Sequence, residues 1–299
     1  MFLSPLRYPG GKSKLTAYVL ETIKLNGLEG AYYAEPFAGG CAIAWYLLLN
    51  GHAQKVYIND LDQAIYAFWY SVLNRTDELC ELILTTPINI DEWLHQREIY
   101  RQKHHDYLKL GFATLFLNRT NRSGILNAGV IGGLKQSGKY KLDCRFNRTV
   151  LIKQISAIAS RKKDIHLTNL DAILFIQQYI QNINEPIFVN IDPPYYVKGK
   201  GLYQNFFEHD DHYHLYESIK HLTKPWIITY DNTPAICDIY TEYFPEPFNL
   251  TYSAQIKRKG SEIIIHSPEL LKTSFKPDVT FNEVRQYYKQ KEYEQFNQL

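Results

Sequence analysis

Apolar and polar positions divide this chain into blocks of different period. Residues 31–35, Ala31-Tyr32-Tyr33-Ala34-Glu35, read as a short strand, and Pro36 to Gly40 as a glycine turn. An unbroken apolar stretch over 42–49 predicts a helix, and Lys55-Val56-Tyr57-Ile58-Asn59-Asp60 a second strand with a polar end. Strand, turn, helix and strand within about thirty residues predict a βαβ unit with a parallel pair. From about 61 to 117, Leu, Ile, Phe and Trp recur at three-to-four spacing, the helical period. Residues 118–148 lose that period to Gly, Asn and basic residues, which predicts surface loops or a hairpin. After a helical stretch at 150–160, strands are predicted at 165–167, 186–191, 226–230 and 261–266. The simplest organisation is one α/β domain, 1–62 with 159–299, split by a mainly helical insertion at 63–158.

Composition changes this picture little. At 45% hydrophobic and 21% charged residues, disorder is excluded, and 299 residues suffice for two domains. Cys41, Cys80, Cys144 and Cys237 stand far apart with no CxxC pair, so reduced thiols and no metal are expected. The N-terminal stretch lacks the apolar core of a signal peptide, and no run approaches the ~18 residues of a membrane span. A cytoplasmic protein without a membrane partner is expected. Charge is more informative. Between Arg97 and Lys163, 15 Lys and Arg face only Glu98, Asp106 and Asp143, a balance of +12 in a chain of net charge +2. Asymmetry on this scale predicts a polyanionic partner, nucleic acid above all.

Candidate chemistry lies at three places. The turn Gly39-Gly40 lets the backbone approach a ligand, and Asp60, some twenty residues on, is placed to accept ribose hydroxyls. GxGxxG spacing is absent and Glu35 precedes the turn, which favours a cofactor without phosphates and with a cationic group. Pro9-Gly10-Gly11-Lys12-Ser13 resembles a phosphate loop but has Leu6 where that motif needs glycine. What remains is a turn presenting Lys12 beside Arg7 and Tyr8, a cation and a ring suited to a carboxylate and an adenine. The third place is Asp192-Pro193-Pro194-Tyr195, following the apolar strand 187–191. Two prolines remove two amide donors and stiffen the loop, so it presents acceptors. An aryl amine is a poor nucleophile because its lone pair is delocalised. Accepting its two hydrogens with the Asp192 carboxylate and the Pro193 carbonyl favours a pyramidal nitrogen whose lone pair can attack. Tyr195 would stack on the base.

The ordered set RYPGGK, AEPFAGG, Ile58-Asn59-Asp60 and DPPY resembles the Dam-type (alpha-class) site-specific DNA adenine methyltransferases over nearly the whole chain. The resemblance implies a Rossmann-like S-adenosylmethionine-dependent methyltransferase domain, a mixed sheet flanked by helices. Into it is inserted a mainly helical DNA-recognition domain containing a hairpin. The implied reaction moves a methyl group from S-adenosylmethionine to the 6-amino group of adenine in double-stranded DNA, leaving S-adenosylhomocysteine, with the base flipped from the stack. Tyr8, Lys12, Glu35, Phe37, Gly39, Gly40, Asp60, Asp171 and Asp192 are then cofactor contacts, and Asp192, Pro193, Pro194 and Tyr195 the catalytic loop. Arg7, Asn118, Arg119, Asn121 and Arg122 resemble DNA-contacting positions. Lys139, Lys141, Arg145 and Arg148, within 135–148, resemble a recognition hairpin. Thr229 to Pro234 and Gly260 to Ile265 resemble the family's later strand and closing hairpin. Two positions depart from the pattern: Tyr8 stands where Trp is frequent, and Cys41 where a smaller residue is usual.

A single chain with one cofactor pocket can work as a monomer, and double-stranded DNA and a cognate restriction endonuclease are the expected partners. Two other readings stay open on the residues alone. One is transfer to cytosine's 4-amino group or another amine, disfavoured by Asp at position 192. The other is a DNA-binding module without catalysis, disfavoured by intact Lys12, Asp60 and DPPY.

Overall fold

The computed structural model describes residues 4–7, 12–197, 207–252 and 258–296. Seven strands form one sheet in the order β3-β2-β1-β4-β5-β7-β6. These are β1 (Tyr32–Glu35), β2 (Val56–Asn59), β3 (Ile165–Thr168), β4 (Ile187–Ile191), β5 (Trp226–Asp231), β6 (Glu246–Tyr252) and β7 (Arg258–His266). The first five in spatial order are parallel, and β7 joins β5 antiparallel, with β6 outside it. The predicted parallel βαβ unit is therefore present, and the sheet is mixed.

Strand period 2 sorts the side chains onto two faces. Tyr33, Phe188, Ile227 and Ile264 join one core. Their neighbours Tyr32, Ala34, Val189, Ile228, Ile263 and Ile265 join the other. Both faces are covered, as parallel strands require. Helices α1 (Thr16–Leu25) and α2 (Ala42–Leu49) pack on the first face. Because β2 runs outward from β1 while β4 lies on its other side, the connection reverses between β1 and β4. A crevice opens there beyond the strands' carboxyl ends, the usual ligand site of such sheets.

Between β2 and β3 run α3 (Gln63–Asn74), α4 (Thr76–Thr85), α5 (Ile90–Arg101), α6 (Tyr107–Thr120) and α7 (Arg148–Ala159). Their starts follow local chemistry: Asp62, Asn89, Asp106 and Asn147 each cap a helix with a side-chain oxygen. α6 crosses α3 so closely that a Cβ on Gly111 would lie 2.5 Å from the Ala67 carbonyl oxygen. These helices share one continuous core with α1 and α2. Trp45 of α2 and Trp69 of α3 meet at 4.9 Å between ring centroids, and both are wholly buried. Such a pair contributes roughly 0.5–1.5 kcal/mol beyond its area.

The hairpin expected over 135–148 is not formed. That stretch runs through turns into a 3-10 helix, Leu142–Arg145. Among the described residues of the insertion, the only ladder contact is the isolated bridge Asn121–Val130. The backbone is left-handed at Gly132, Gly133 and Gln136. The Gln136 side chain takes over the polar groups a ladder would pair. Its Nε2 donates to Ile131 and Gly133 carbonyls, and its Oε1 accepts from Leu142 N–H. Among the described residues no helix is long and apolar enough to cross a membrane.

Candidate active site

The glycine turn after β1 is held from three directions. Asp60, just past β2, accepts from Gly39 N–H at 2.8 Å and from Asp62 N–H at 2.9 Å. Trp69 of α3 donates its indole N–H to the Gly39 carbonyl at 2.9 Å. Asn59, which no motif singled out for a role of its own, ties the turn to the loop after β3. Its amide donates to the carbonyls of Pro36 and Leu170 and accepts from Leu170 N–H and Thr168 Oγ1. It is fully buried, with both ends satisfied. Cys41, left-handed at φ 48°, turns the chain into α2. Its N–H still bonds the Ala38 carbonyl, so the departure at this position leaves a closed turn.

Two carboxyls in this wall are held above the usual carboxylate range. Burial raises Glu35 to about 8, offset in part by bonds from Tyr33 and from Ala44 N–H. Burial likewise raises Asp60 to about 7, with Asp62 adding repulsion. Both line the crevice, together with Phe37, Gly39, Gly40, Asp171, Asn190 and Asp192. Asn190 Oδ1 is buried and has no hydrogen-bond partner among the described residues. Asp171 caps the short helix Ala172–Phe175 through Ile173 and Leu174 N–H.

On the far side of the crevice the loop after β4 carries Asp192 to Tyr195. Its continuation is fixed by buried Asp231 at the end of β5, which accepts from Tyr196 N–H at 2.9 Å and Val197 N–H at 3.0 Å. Asp192 Oδ1 lies 3.0 Å from Lys12 Nζ and 3.1 Å from Thr229 Oγ1. Lys12 Nζ also donates to Tyr195 Oη at 2.5 Å, to Thr229 Oγ1 at 2.9 Å and to Glu262 Oε2 at 3.3 Å. The Tyr195 side chain is 7% exposed, with its ring centroid 4.9 Å from that ammonium. Tyr8 lies outside the described residues. Glu262, Thr229 and Asp231 complete the site although only their stretches, not their roles, stand out in the sequence.

The expected DNA contacts divide into two groups. Asn118 and Asn121 are buried. Asn118 exchanges bonds with the Arg7 backbone in both directions, and Asn121 accepts from Trp93 while its amide holds the Ile125 and Leu126 carbonyls. Arg119 grips the Pro5 carbonyl, and burial followed by repulsion from Arg7 and Arg145 brings it down to about 10. Asn118 and Arg119 thus hold the N-terminal segment at Pro5 and Arg7, while the Asn121 side chain ties the loop after α6. Arg148 turns back to the end of α4, donating to the carbonyls of Ile83, Leu84 and Thr86. Arg122, Lys135, Lys139, Lys141 and Arg145 are exposed, although Lys141 Nζ reaches the Gln136 carbonyl.

The donor set suits S-adenosylmethionine better than a phosphate-bearing cofactor. Acidic groups stand on both sides of the turn, Asn190 lines the crevice, and neither phosphate-loop spacing nor GxGxxG spacing is present. The chain has likenesses among known proteins. The family model for D12 class N6 adenine-specific DNA methyltransferases matches residues 8–259. The Type II methyltransferase M.MjaIII of Methanocaldococcus jannaschii is 26% identical over 205 residues, 64% of this chain and 68% of that protein. Solved structures with a looser likeness include the rRNA methyltransferase aviRa of Streptomyces viridochromogenes, at TM-score 0.33 and 12% identity, covering 83% of this chain and 80% of that one. Another is the methyltransferase subunit of a type I restriction-modification system from Streptococcus thermophilus, at TM-score 0.40 and 10% identity, covering 96% and 53%.

Proposed function

The chain belongs to the D12 class N6 adenine-specific DNA methyltransferase family, and from that premise we propose how its residues divide the work of methylating adenine. The reading takes S-adenosylmethionine as methyl donor and a flipped adenine in double-stranded DNA as acceptor. One observation carries it: Asp192 faces the same crevice as Glu35, Gly39 and Asp60, across the point where the strand order reverses. Donor and acceptor sites are thus opposed, as group transfer in a single step requires.

Asp60 would hold the ribose hydroxyls of the cofactor, Gly39 and Gly40 would let it approach the backbone, and Phe37 and Asp171 would flank its adenine. Glu35 and the Asn190 carbonyl would face its amino-acid end. When bound, S-adenosylmethionine supplies an electrophilic methyl group on a positively charged sulfur. The chain does the rest. Asp192 and the Pro193 carbonyl accept the two hydrogens of the adenine amine and so localise its lone pair. After transfer the nitrogen carries one proton too many, and Asp192 is the acceptor in reach. Stacking of the base on Tyr195 requires that ring to leave Lys12.

The insertion, 63–158, is read as the target-recognition domain, with exposed Arg122, Lys135, Lys139 and Arg145 as its DNA face. Extruding the base costs a few kcal/mol, which phosphate contacts of this kind can offset. Asp192, Glu35, Gly39 and Asp60 line one crevice within a single chain, which supports a monomer. The name of the relative M.MjaIII, a Type II methyltransferase, supports a restriction-modification setting with a cognate endonuclease, and a cytoplasmic enzyme is proposed with it.

The test is incubation of the purified protein with labelled S-adenosylmethionine and mixed-sequence duplex DNA, followed by digestion to nucleosides. Label in N6-methyl-2′-deoxyadenosine is expected. Label in cytosine, or none in a protein that binds the cofactor, would refute the reading.

A further inference from the structure

Glu262 stands at an unusual place for a carboxylate. It lies on β7 opposite Asp231, with Phe248 of β6 on its other side. By strand alternation it shares a face with Ile264, Thr229 and Asp231, the face that α1 covers. Its side chain is fully buried, and Oε1 has no hydrogen-bond partner among the described residues. Oε2 meets the Lys12 ammonium at 3.3 Å. The same ammonium is 3.0 Å from Asp192 and bonded to Tyr195 and Thr229. One cation therefore bridges two carboxylates, one on the catalytic loop and one on the strand behind it.

A buried acid is costly unless it is paired, and a hydrophobic residue would fill this strand position without that cost. Asp192 with Lys12 alone would be a closed ion pair, its charge neutralised and its oxygen occupied, a poor acceptor for an incoming amine. A second carboxylate shares the ammonium. It also gives Lys12 an anchor that persists when Asp192 and Tyr195 turn to the base.

We infer that Glu262 is a positioning residue for methyl transfer: it holds Lys12 between two carboxylates so that Asp192 stays available to accept hydrogens from the target amine. This rests on the assignment of Asp192 as that acceptor. The charged and titratable groups around Glu262 are Lys12 from the N-terminal segment, Asp192 and Tyr195 from the catalytic loop, and Asp231 across β5. Burial raises the Glu262 carboxyl, Lys12 and a hydrogen bond from Tyr195 oppose the rise, and Asp192 adds to it. Loss of its charge on acidification should therefore slow transfer.

The test compares wild type, Glu262→Gln, Glu262→Asp and Asp192→Asn in single turnover across pH, with cofactor affinity measured separately by calorimetry. Glu262→Gln should bind S-adenosylhomocysteine within about threefold of wild type yet transfer about ten- to a hundredfold more slowly, the scale of a misplaced acceptor. Its rate should also lose the acidic limb that Glu262 supplies. Glu262→Asp should recover part of the rate and keep the limb. In the protein without cofactor, a carbon-13 titration of the Glu262 carboxyl should move upward in Lys12→Met, a readout independent of turnover. Wild-type rate and an unchanged limb in Glu262→Gln would overturn the inference, as would an unmoved carboxyl titration. If Glu262→Gln fails to fold, Glu262→Asp decides: a wild-type rate overturns the inference, a reduced rate with the limb retained supports it. Asp192→Asn separates the two levels. If it stays active, the acceptor assignment itself falls, and if it is dead while Glu262→Gln is normal, only the role of Glu262 falls.

Discussion

At the scale of single residues, the cofactor wall combines satisfied and strained polar groups. Asn59 is the satisfied kind, joining the glycine turn to the loop that carries Asp171 through four hydrogen bonds. Replacing it with Ala strands two carbonyls, an N–H and a hydroxyl in the interior. Chemical denaturation should show a loss of about 2–4 kcal/mol, and cofactor affinity should fall with it because the turn loses its tie. Glu35 is the strained kind. Its carboxyl goes from an ordinary 4.5 to about 8 in the folded protein. Between those values the folded state holds a proton that the unfolded state has released, so this group's contribution to stability falls as pH rises through the window. His212 and His266, lowered by burial from 6.5 to about 4, act in the opposite sense, so the total melting curve mixes the two. The difference between Glu35→Gln and wild type isolates the carboxyl. The variant should gain relative stability as pH rises from about 4.5 to about 8, and thermal melts at a series of pH values check it. A difference that is flat or falls with pH would mean that Glu35 is ionised in the folded protein.

At the scale of elements, the parallel strands and their order of appearance are legible in the sequence because each is a short apolar run ending in a turn. α2 and α7 are legible as well, from unbroken or periodic apolar residues. β6 is not. Glu246-Pro247-Phe248-Asn249 has no clean alternation, and only pairing with β7 makes it a strand. The recognition hairpin fails to form because Gly132, Gly133 and Gln136 turn left-handed and a glutamine side chain replaces the ladder. Spacing cannot reveal which way an arginine points, and that is why Arg119 and Arg148 resemble DNA contacts in the sequence. Arg148 in fact closes the C-terminal end of α4, where a cation is favoured. Arg148→Ala should lower stability by about 1–3 kcal/mol and leave DNA affinity, measured at fixed salt, nearly unchanged. A large loss of affinity with unaltered stability would return it to the DNA face. Gly124 links the insertion to the N-terminal segment. It has φ +78°, and a Cβ there would lie 2.5 Å from the Arg7 carbonyl oxygen. Gly124→Ala should displace the segment that positions Lys12 and slow transfer more than it weakens DNA binding, as a split between kcat and KM would show.

At the scale of the molecule, charge is partitioned between two jobs. The +12 stretch does not act as a uniform basic field, because Arg119 and Arg148 are taken up by backbone carbonyls. Arg101, Lys103, Lys109, Lys153, Lys162 and Lys163 are exposed along the rest of the stretch, and around the loops after α6 the exposed Arg122, Lys135, Lys139, Lys141 and Arg145 lie with Leu134 and Tyr140, each 62% exposed. Burial and then repulsion from Arg145 lower the affinity of Arg7 for its proton, and burial and then repulsion from Arg7 and Arg145 lower that of Arg119. Cations that crowd in this way are relieved by an anion, and the phosphate backbone supplies one. The consequence is quantitative. Removing one cation that neutralises a phosphate should reduce the slope of log affinity against log salt by about 0.9. Lys139→Gln with Arg145→Gln should therefore flatten the slope by up to about 1.8. Arg119→Gln, already committed to Pro5, should change stability rather than slope. Titrating a labelled duplex at several salt concentrations distinguishes them. If Arg119→Gln flattens the slope while the exposed pair does not, the DNA lies against the N-terminal segment and not on the loops after α6.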